Sequence, residues 1–164
     1  YPISVHPDGS LLASGDLSGF AQLWDIRSGK NIMSLTGHQG NQLIALKFLP
    51  TGYHIATGGD DNTIKFWDLR MRGKNITTIP AHTKLISDIK FDESSRLMIT
   101  TSYDCKCKIW GAKSFLYGEN TADEWVNLRT LHGHENKLTS VSFTSDLKTI
   151  VTTSFDRTFK VWKN

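Results

Sequence analysis

The sequence predicts an all-β chain built from about four copies of one four-stranded antiparallel unit, the last copy lacking its outer strand. Three observations predict it. Tryptophan recurs in one frame as Trp24, Trp67, Trp110 and Trp162, at spacings of 43, 43 and 52 residues. Each tryptophan closes a segment of the same make: small and hydroxyl residues, a turn, then an alternating strand, as in Thr57-Gly58-Gly59-Asp60-Asp61-Asn62-Thr63-Ile64-Lys65-Phe66-Trp67-Asp68. No stretch carries the apolar period of an amphipathic helix of useful length. A period near 40–45 residues with four short strands per unit marks a radial array of sheets.

Taken in order, the units occupy residues 1–36, 37–80, 81–132 and 133–164. Inner strands are expected to start near Ile3, Leu43, Leu85 and Leu138, and outer strands near Ile32, Ile76 and 126–131. The second unit shows the logic most plainly. Leu43, Leu46 and Phe48 mark the inner strand, and Pro50-Thr51-Gly52 supply turn chemistry. Residues 53–58 form the next strand, 59–62 turn again, 63–68 form the third strand and 75–79 the outer one. The third unit repeats the inner strand with Ile86, Ile89 and Phe91, and the fourth with Leu138, Val141 and Phe143. An insertion at 114–124 accounts for the longer spacing of 52. It carries Phe115, Leu116 and Tyr117, and reads either as a tolerated excursion or as a partner-binding element.

Three units share a polar set. An aspartate stands six residues before the tryptophan (Asp61, Asp104, Asp156), and a hydroxyl ten before it (Thr57, Thr100, Thr152). A histidine lies about 22 residues before each aspartate (His38, His82, His134). This set resembles the hydrogen-bond tetrad of WD repeats, which implies a β-propeller. A buried indole N–H needs an acceptor, the hydroxyl can supply it and donate onward to the imidazole, and the aspartate fixes the tautomer. The tetrads are therefore His38–Thr57–Asp61–Trp67, His82–Thr100–Asp104–Trp110 and His134–Thr152–Asp156–Trp162. The first unit has Ser18 in the aspartate position and no Gly-His before it. It is expected to lack a full tetrad and to be either held by Phe20 or looser than its neighbours.

The same residue types could make a Ser/Thr-His-Asp catalytic site. Recurrence at three equivalent positions is how a structural device behaves, so no catalytic residue is expected. No histidine pair has metal-ligand spacing, and no phosphate loop or nucleophile elbow is present, so neither metal nor cofactor is expected. Cys105 and Cys107 lie two apart and are expected on one face of one strand, which is poor disulfide geometry. They fit a reducing compartment. With no signal peptide and no apolar run near 18 residues, an intracellular, membrane-free chain is expected. The formal net charge of +3 permits an anionic partner without requiring one.

Propeller resemblance implies binding through one rim of the central channel. The residue before each tetrad aspartate projects there (Asp60, Tyr103, Phe155, with Leu17 by position), and Gln42, Leu85 and Lys137 stand at the starts of inner strands. An aromatic pair beside a lysine is the composition of an interface anchor; the same aromatics could instead pack on neighbouring blades. Lys65, Lys106, Lys108 and Lys160 are read on third strands, where snorkelling explains them better than an RNA-binding stripe.

A narrower resemblance rests on residues 52–58 (Gly-Tyr-His-Ile-Ala-Thr-Gly), Trp67-Asp68-Leu69-Arg70, Thr78-Ile79-Pro80-Ala81-His82 and residues 154–162. Together these resemble the WD-repeat subunit of the U4/U6 small nuclear ribonucleoprotein, the pre-mRNA processing factor four family. That resemblance implies a nuclear, non-catalytic scaffold of the U4/U6 and U4/U6·U5 particles in splicing. Its partner would be processing factor three, and its association with U4/U6 snRNA would be indirect. The generic repeat alone also admits an adaptor of another complex, such as a ubiquitin-ligase substrate receptor or chromatin reader. Propellers of this kind usually close with seven blades. The chain is therefore expected to be the C-terminal part of a larger ring whose N-terminal part supplies the absent outer strand, or to self-associate through open edges.

Overall fold

The computed structural model describes residues 1–113 and 124–163; the insertion expected at 114–124 lies, apart from Glu124, outside the described residues. The chain is all-β, with fifteen strands among these residues. The first sheet holds β1 (Ile3–Val5), β2 (Leu11–Gly15), β3 (Phe20–Asp25) and β4 (Asn31–Thr36). The second holds β5 (Leu43–Phe48), β6 (His54–Gly59), β7 (Thr63–Asp68) and β8 (Lys74–Pro80). The third holds β9 (Ile86–Phe91), β10 (Leu97–Ser102), β11 (Cys107–Ala112) and β12 (Trp125–Leu131). The fourth holds β13 (Leu138–Phe143), β14 (Thr149–Ser154) and β15 (Phe159–Lys163). Every sheet is an antiparallel meander in chain order. Inner strands of successive sheets neighbour one another, β1 beside β5, β5 beside β9 and β9 beside β13.

Turn chemistry recurs as exactly as the tryptophans do. The turn after each inner strand has one residue in the left-handed region: Gly9 (φ 77°), Gly52 (77°), Ser95 (57°) and Leu147 (58°). The turn between second and third strands has another: Gly19 (85°), Asn62 (65°), Cys105 (67°) and Arg157 (66°). Cys105 therefore sits in a turn, not on a strand face beside Cys107, and both thiols are free. Lys106 likewise precedes β11 and is not a strand residue. The third-to-outer pairing slips register just before the tryptophan in three sheets, at Leu23/Trp24, Phe66/Trp67 and Ile109/Trp110. A bulge there bends the strand and re-aims the indole.

The apolar core sits between sheets. One cluster joins the first two (Ala13, Leu23, Leu35 with Leu46, Phe48, Trp67). A second joins the next two (Ala45, Ile64, Phe66 with Ile86, Met98, Trp110). A third joins the last two (Ile99, Leu131 with Val141, Ile150). Each sheet thus buries a face against its neighbour, and none could close a core alone. Polar ties cross the same seams. Ser4 Oγ accepts from Phe48 N at 3.2 Å, and Asp88 Oδ2 accepts from Ser140 Oγ at 2.6 Å and Val141 N at 3.2 Å.

Candidate functional site

The three sequence-defined polar sets are each brought together. In the second sheet, Trp67 Nε1–H donates to Thr57 Oγ1 at 2.8 Å, the hydroxyl donates to His38 Nε2 at 2.8 Å, and Nδ1–H donates to Asp61 Oδ2 at 2.8 Å. In the third, the distances through Trp110, Thr100, His82 and Asp104 are 2.9, 2.8 and 2.9 Å. In the fourth, through Trp162, Thr152, His134 and Asp156, they are 2.9, 2.8 and 2.7 Å. A neutral imidazole protonated on Nδ1 lets every group in this chain of bonds find its partner. Burial, the largest influence, lowers the pKa of His38 and His82 below the ordinary histidine value despite their aspartates. For Asp104, burial pushes upward, but bonds and charge from His82 and the N–H groups of Thr83 and Lys106 outweigh it and hold the carboxyl at about 2.

Each aspartate also pins its own turn. Asp61 Oδ1 accepts from Thr63 N, Asp104 Oδ1 from Lys106 N and Asp156 Oδ1 from Thr158 N. The threonine hydroxyls at the base of these networks are fully buried. A hydroxyl that already accepts from an indole and lies beneath the sheet offers no atom for a substrate to reach. The arrangement locks a loop onto a blade.

The first sheet keeps half of this device. Trp24 Nε1–H donates to Ser14 Oγ at 3.0 Å. Ser18 does not replace the aspartate; Asp16 does, from two residues earlier. Its Oδ1 accepts from Ser18 N and Phe20 N, both at 2.9 Å. In the third and fourth sheets a serine at the equivalent position caps the same turn, Ser102 Oγ accepting from Asp104 N and Ser154 Oγ from Asp156 N. An aspartate opening a turn two residues before its N–H partner is an Asx pattern legible in sequence, but it stands eight residues before the tryptophan, where the third and fourth sheets have serine, and not six. Gly19 completes the turn: a Cβ there would lie 2.1 Å from the His38 carbonyl oxygen, so the first sheet is docked on the second by backbone contact.

Ala81, in the place held by Gly37 and Gly133, is fully buried against Trp110. At Gly37 an added Cβ would lie 2.5 Å from the Trp67 ring. The third sheet has made room for that methyl. The Ala81 carbonyl also accepts from Lys108 Nζ at 2.6 Å, and the ammonium sits 5.5 Å from the Trp110 ring centre. Lys65 Nζ reaches Thr78 Oγ1 at 3.3 Å. Lys108 thus covers its tetrad tryptophan while its ammonium reaches a polar partner, which is the snorkelling arrangement.

The rim residues lie at equivalent places for a backbone reason. Asp60 N donates to Gln42 O, Tyr103 N to Leu85 O and Phe155 N to Lys137 O, each at 2.9 Å. The side chains at 60, 103 and 155 are thereby held at one level in three sheets. Tyr103 and Phe155 meet edge to face with centroids 6.2 Å apart, and Lys137 Nζ stands 4.7 Å over the Tyr103 ring. Phe155 remains 55% exposed. A groove beside them is lined by Asp60, Asn62, Thr83, Lys84, Leu85, Tyr103 and Lys137. Leu17 is exposed on the first sheet's turn and joins no such cluster, and Gln42 contributes its carbonyl to the array while its side chain stays exposed. Among the described residues no group of three His, Cys, Asp or Glu is placed to hold a metal ion, and no helix is long and apolar enough to cross a membrane.

Comparison with known proteins gives a family match over most of the chain. The model described as "WD domain, G-beta repeat" matches residues 3–25, 29–68, 73–111 and 125–163. Protein HIRA of Dictyostelium discoideum is 30% identical over 141 residues, 77% of this chain and 12% of that protein. Pre-mRNA-processing factor 19 of Oryza sativa subsp. japonica is 29% identical over 164 residues, 97% of this chain and 29% of that protein. A guanine nucleotide-binding protein subunit beta of the same rice is 26% identical over 173 residues, 98% of this chain and 42% of that protein. The chain therefore spans less than half the length of each of these relatives.

Proposed function

The chain belongs to the WD-repeat family, and on that premise we propose that it is a non-catalytic protein-interaction scaffold of the pre-mRNA splicing machinery, resident in the nucleus. One observation carries the scaffold reading. The Thr, His and Asp side chains of the tetrads are consumed in three closed networks, whereas the residues left open at one rim are a mixture of aromatic, apolar, amide, hydroxyl and charged side chains. That division suits recognition, and the tetrad groups are not assembled for catalysis among the described residues.

The splicing assignment is the finer part. It is supported by the likeness to pre-mRNA-processing factor 19 along 97% of the chain and by the Ile79-Pro80-Ala81-His82 context. The specific home proposed is the U4/U6 particle, with processing factor three as direct partner and U4/U6 snRNA held indirectly. Similar identity to Protein HIRA and to a G-protein β subunit favours a second reading, an adaptor of another assembly. Affinity capture with the tagged chain from nuclear extract separates them. Recovery of U4 and U6 RNA with processing factor three is expected. Recovery of cullin-ligase or chromatin subunits instead would establish the second reading.

A further inference from the structure

We infer that the cleft between the third and fourth sheets is a binding site for a small aromatic carboxylate. This site is separate from the rim and does not depend on the scaffold reading. The cleft has a volume of about 330 Å³, within the range of small-molecule sites. Its walls include Ile99, Ile109 and Leu131 from the third sheet and Ile150 and Trp162 from the fourth. Three cationic residues complete the lining: Arg129 of β12, Lys148 of the turn before β14 and Lys163 at the end of β15. All three are exposed, and no carboxylate stands among the described lining residues. An apolar slot with cations at its mouth fits an anion that carries a hydrocarbon body.

The two other seams show what shape the slot takes. Leu23, Phe66 and Ile109 hold one place, the residue before the tetrad or equivalent tryptophan, and pair across to Met33, Thr77 and Arg129 on the outer strands. In the first seam Met33 fills the space, so closely that a Cβ on Gly73 would lie 2.7 Å from its sulfur. In the second seam the smaller Thr77 leaves room, and Trp125 takes it, stacked on Phe66 with centroids 5.4 Å apart and planes 13° apart. Gly73 and Trp125 are equivalent, each standing two residues before the asparagine (Asn75, Asn127) that pairs with the tryptophan. Leu23 and Phe66 are therefore buried, whereas Ile109 is only half-buried. A flat ring laid on Ile109 repeats the packing of Trp125 on Phe66, and a carboxylate on its edge meets the Arg129 guanidinium fork or the Lys148 ammonium. A nucleotide base fits worse, because the aliphatic walls would strand its ring nitrogens and amino groups.

The test is a titration of the dilute, isotope-labelled chain with 2-naphthoate, read by calorimetry and by the tryptophan indole resonances. Saturable binding of one equivalent is expected. The Trp162 indole resonance should move, and that of Trp24, which is also half-buried but lies on the far flank of the first sheet, should stay in place. Neutral 2-naphthamide and adenosine monophosphate are expected to bind about tenfold more weakly or not at all. R129E/K148E alters exposed side chains only, so it is expected to keep the urea midpoint and to weaken naphthoate about tenfold or more. I109W sets an indole in the slot from the chain's own side and is expected to abolish binding. Should I109W lower the urea midpoint, L128W, at an exposed position of the same lining, takes its place. Four results would overturn the inference: no saturable binding, equal movement of Trp24 and Trp162, equal binding of the amide, or affinity indifferent to R129E/K148E. Adenosine monophosphate binding more tightly than naphthoate would make the cleft a nucleotide site and also overturn it.

Discussion

Single residues here work through hydrogen-bond bookkeeping and backbone strain. Thr100 is the node of its network, acceptor for Trp110 and donor to His82. Its replacement by valine keeps the shape and strands two buried polar groups, so T100V is expected to lower stability by about 2 kcal/mol, seen as a lower urea midpoint at unchanged slope. Ser95 is the reverse case. It is held in the left-handed region, and its hydroxyl is buried without a partner. S95G removes both penalties at the cost of a freer unfolded chain, and is expected to raise stability by about 1 kcal/mol; a lowered midpoint would show the hydroxyl to be engaged. The histidines set the acid response. The native pKa values of His38 and His82 lie below the ordinary 6.5, so on acidification the unfolded chain takes up protons first. Stability is full above pH 6.5 and is lost as pH falls from there toward the depressed native values. Asp104, held near 2 against an ordinary 3.8, adds a second loss as pH falls from 3.8 towards 2. Urea midpoints measured from about pH 8 downward should therefore decline below 6.5; a rise there would contradict the neutral-imidazole network.

At the scale of the strand and turn, the repeat is carried by backbone conformation as much as by side chains. Two left-handed positions per sheet and a bulge ahead of the tryptophan recur even where residue identity does not, with Gly, Asn, Cys and Arg occupying one and the same turn position. The first sheet shows what substitutes for a tetrad: Asp16 caps the turn and Gly19 lies on the backbone of the next blade. The seam before the third sheet shows the converse. G37A would drive a Cβ to 2.5 Å from Trp67 and is expected to destabilise by about 1–3 kcal/mol. A81G at the equivalent place only deletes a buried methyl and is expected to cost about 1 kcal/mol. Chemical denaturation of the two variants side by side checks this. Equal losses would mean that the tryptophan moves freely in both sheets.

On the scale of the whole molecule, the consequence of building a core only between blades is that the described residues leave apolar side chains exposed on the first and the fourth sheets. Among the described residues β15 pairs with β14 alone, and Phe159 and Val161 are 69% and 49% exposed. On the opposite flank Ile3 and Val5 are 63% and 53% exposed. Apolar side chains beside an unpaired strand edge are adhesive. The 164-residue chain is expected to self-associate with rising concentration, and V161K, which places a charge on that edge, to reduce the association. Light scattering behind size exclusion reads this directly, and a monomer at every concentration would remove it.

Sequence by itself determined the repeat, the strand order within each unit and the membership of three polar networks. Each of these depends on spacing along one chain: ten and six residues back from a tryptophan, and the two-residue alternation of a strand. It could not show that Asp16 replaces a missing aspartate, that Cys105 turns instead of pairing faces with Cys107, or that Asp88 ties one inner strand to the next. Those follow from which residues lie opposite one another in space, 52 positions apart for Asp88 and Ser140. The rim divides between the two. The residue before each aspartate was legible in the frame, but the meeting of Tyr103 with Phe155, and of both with Lys137, was decided by the packing of the third sheet against the fourth.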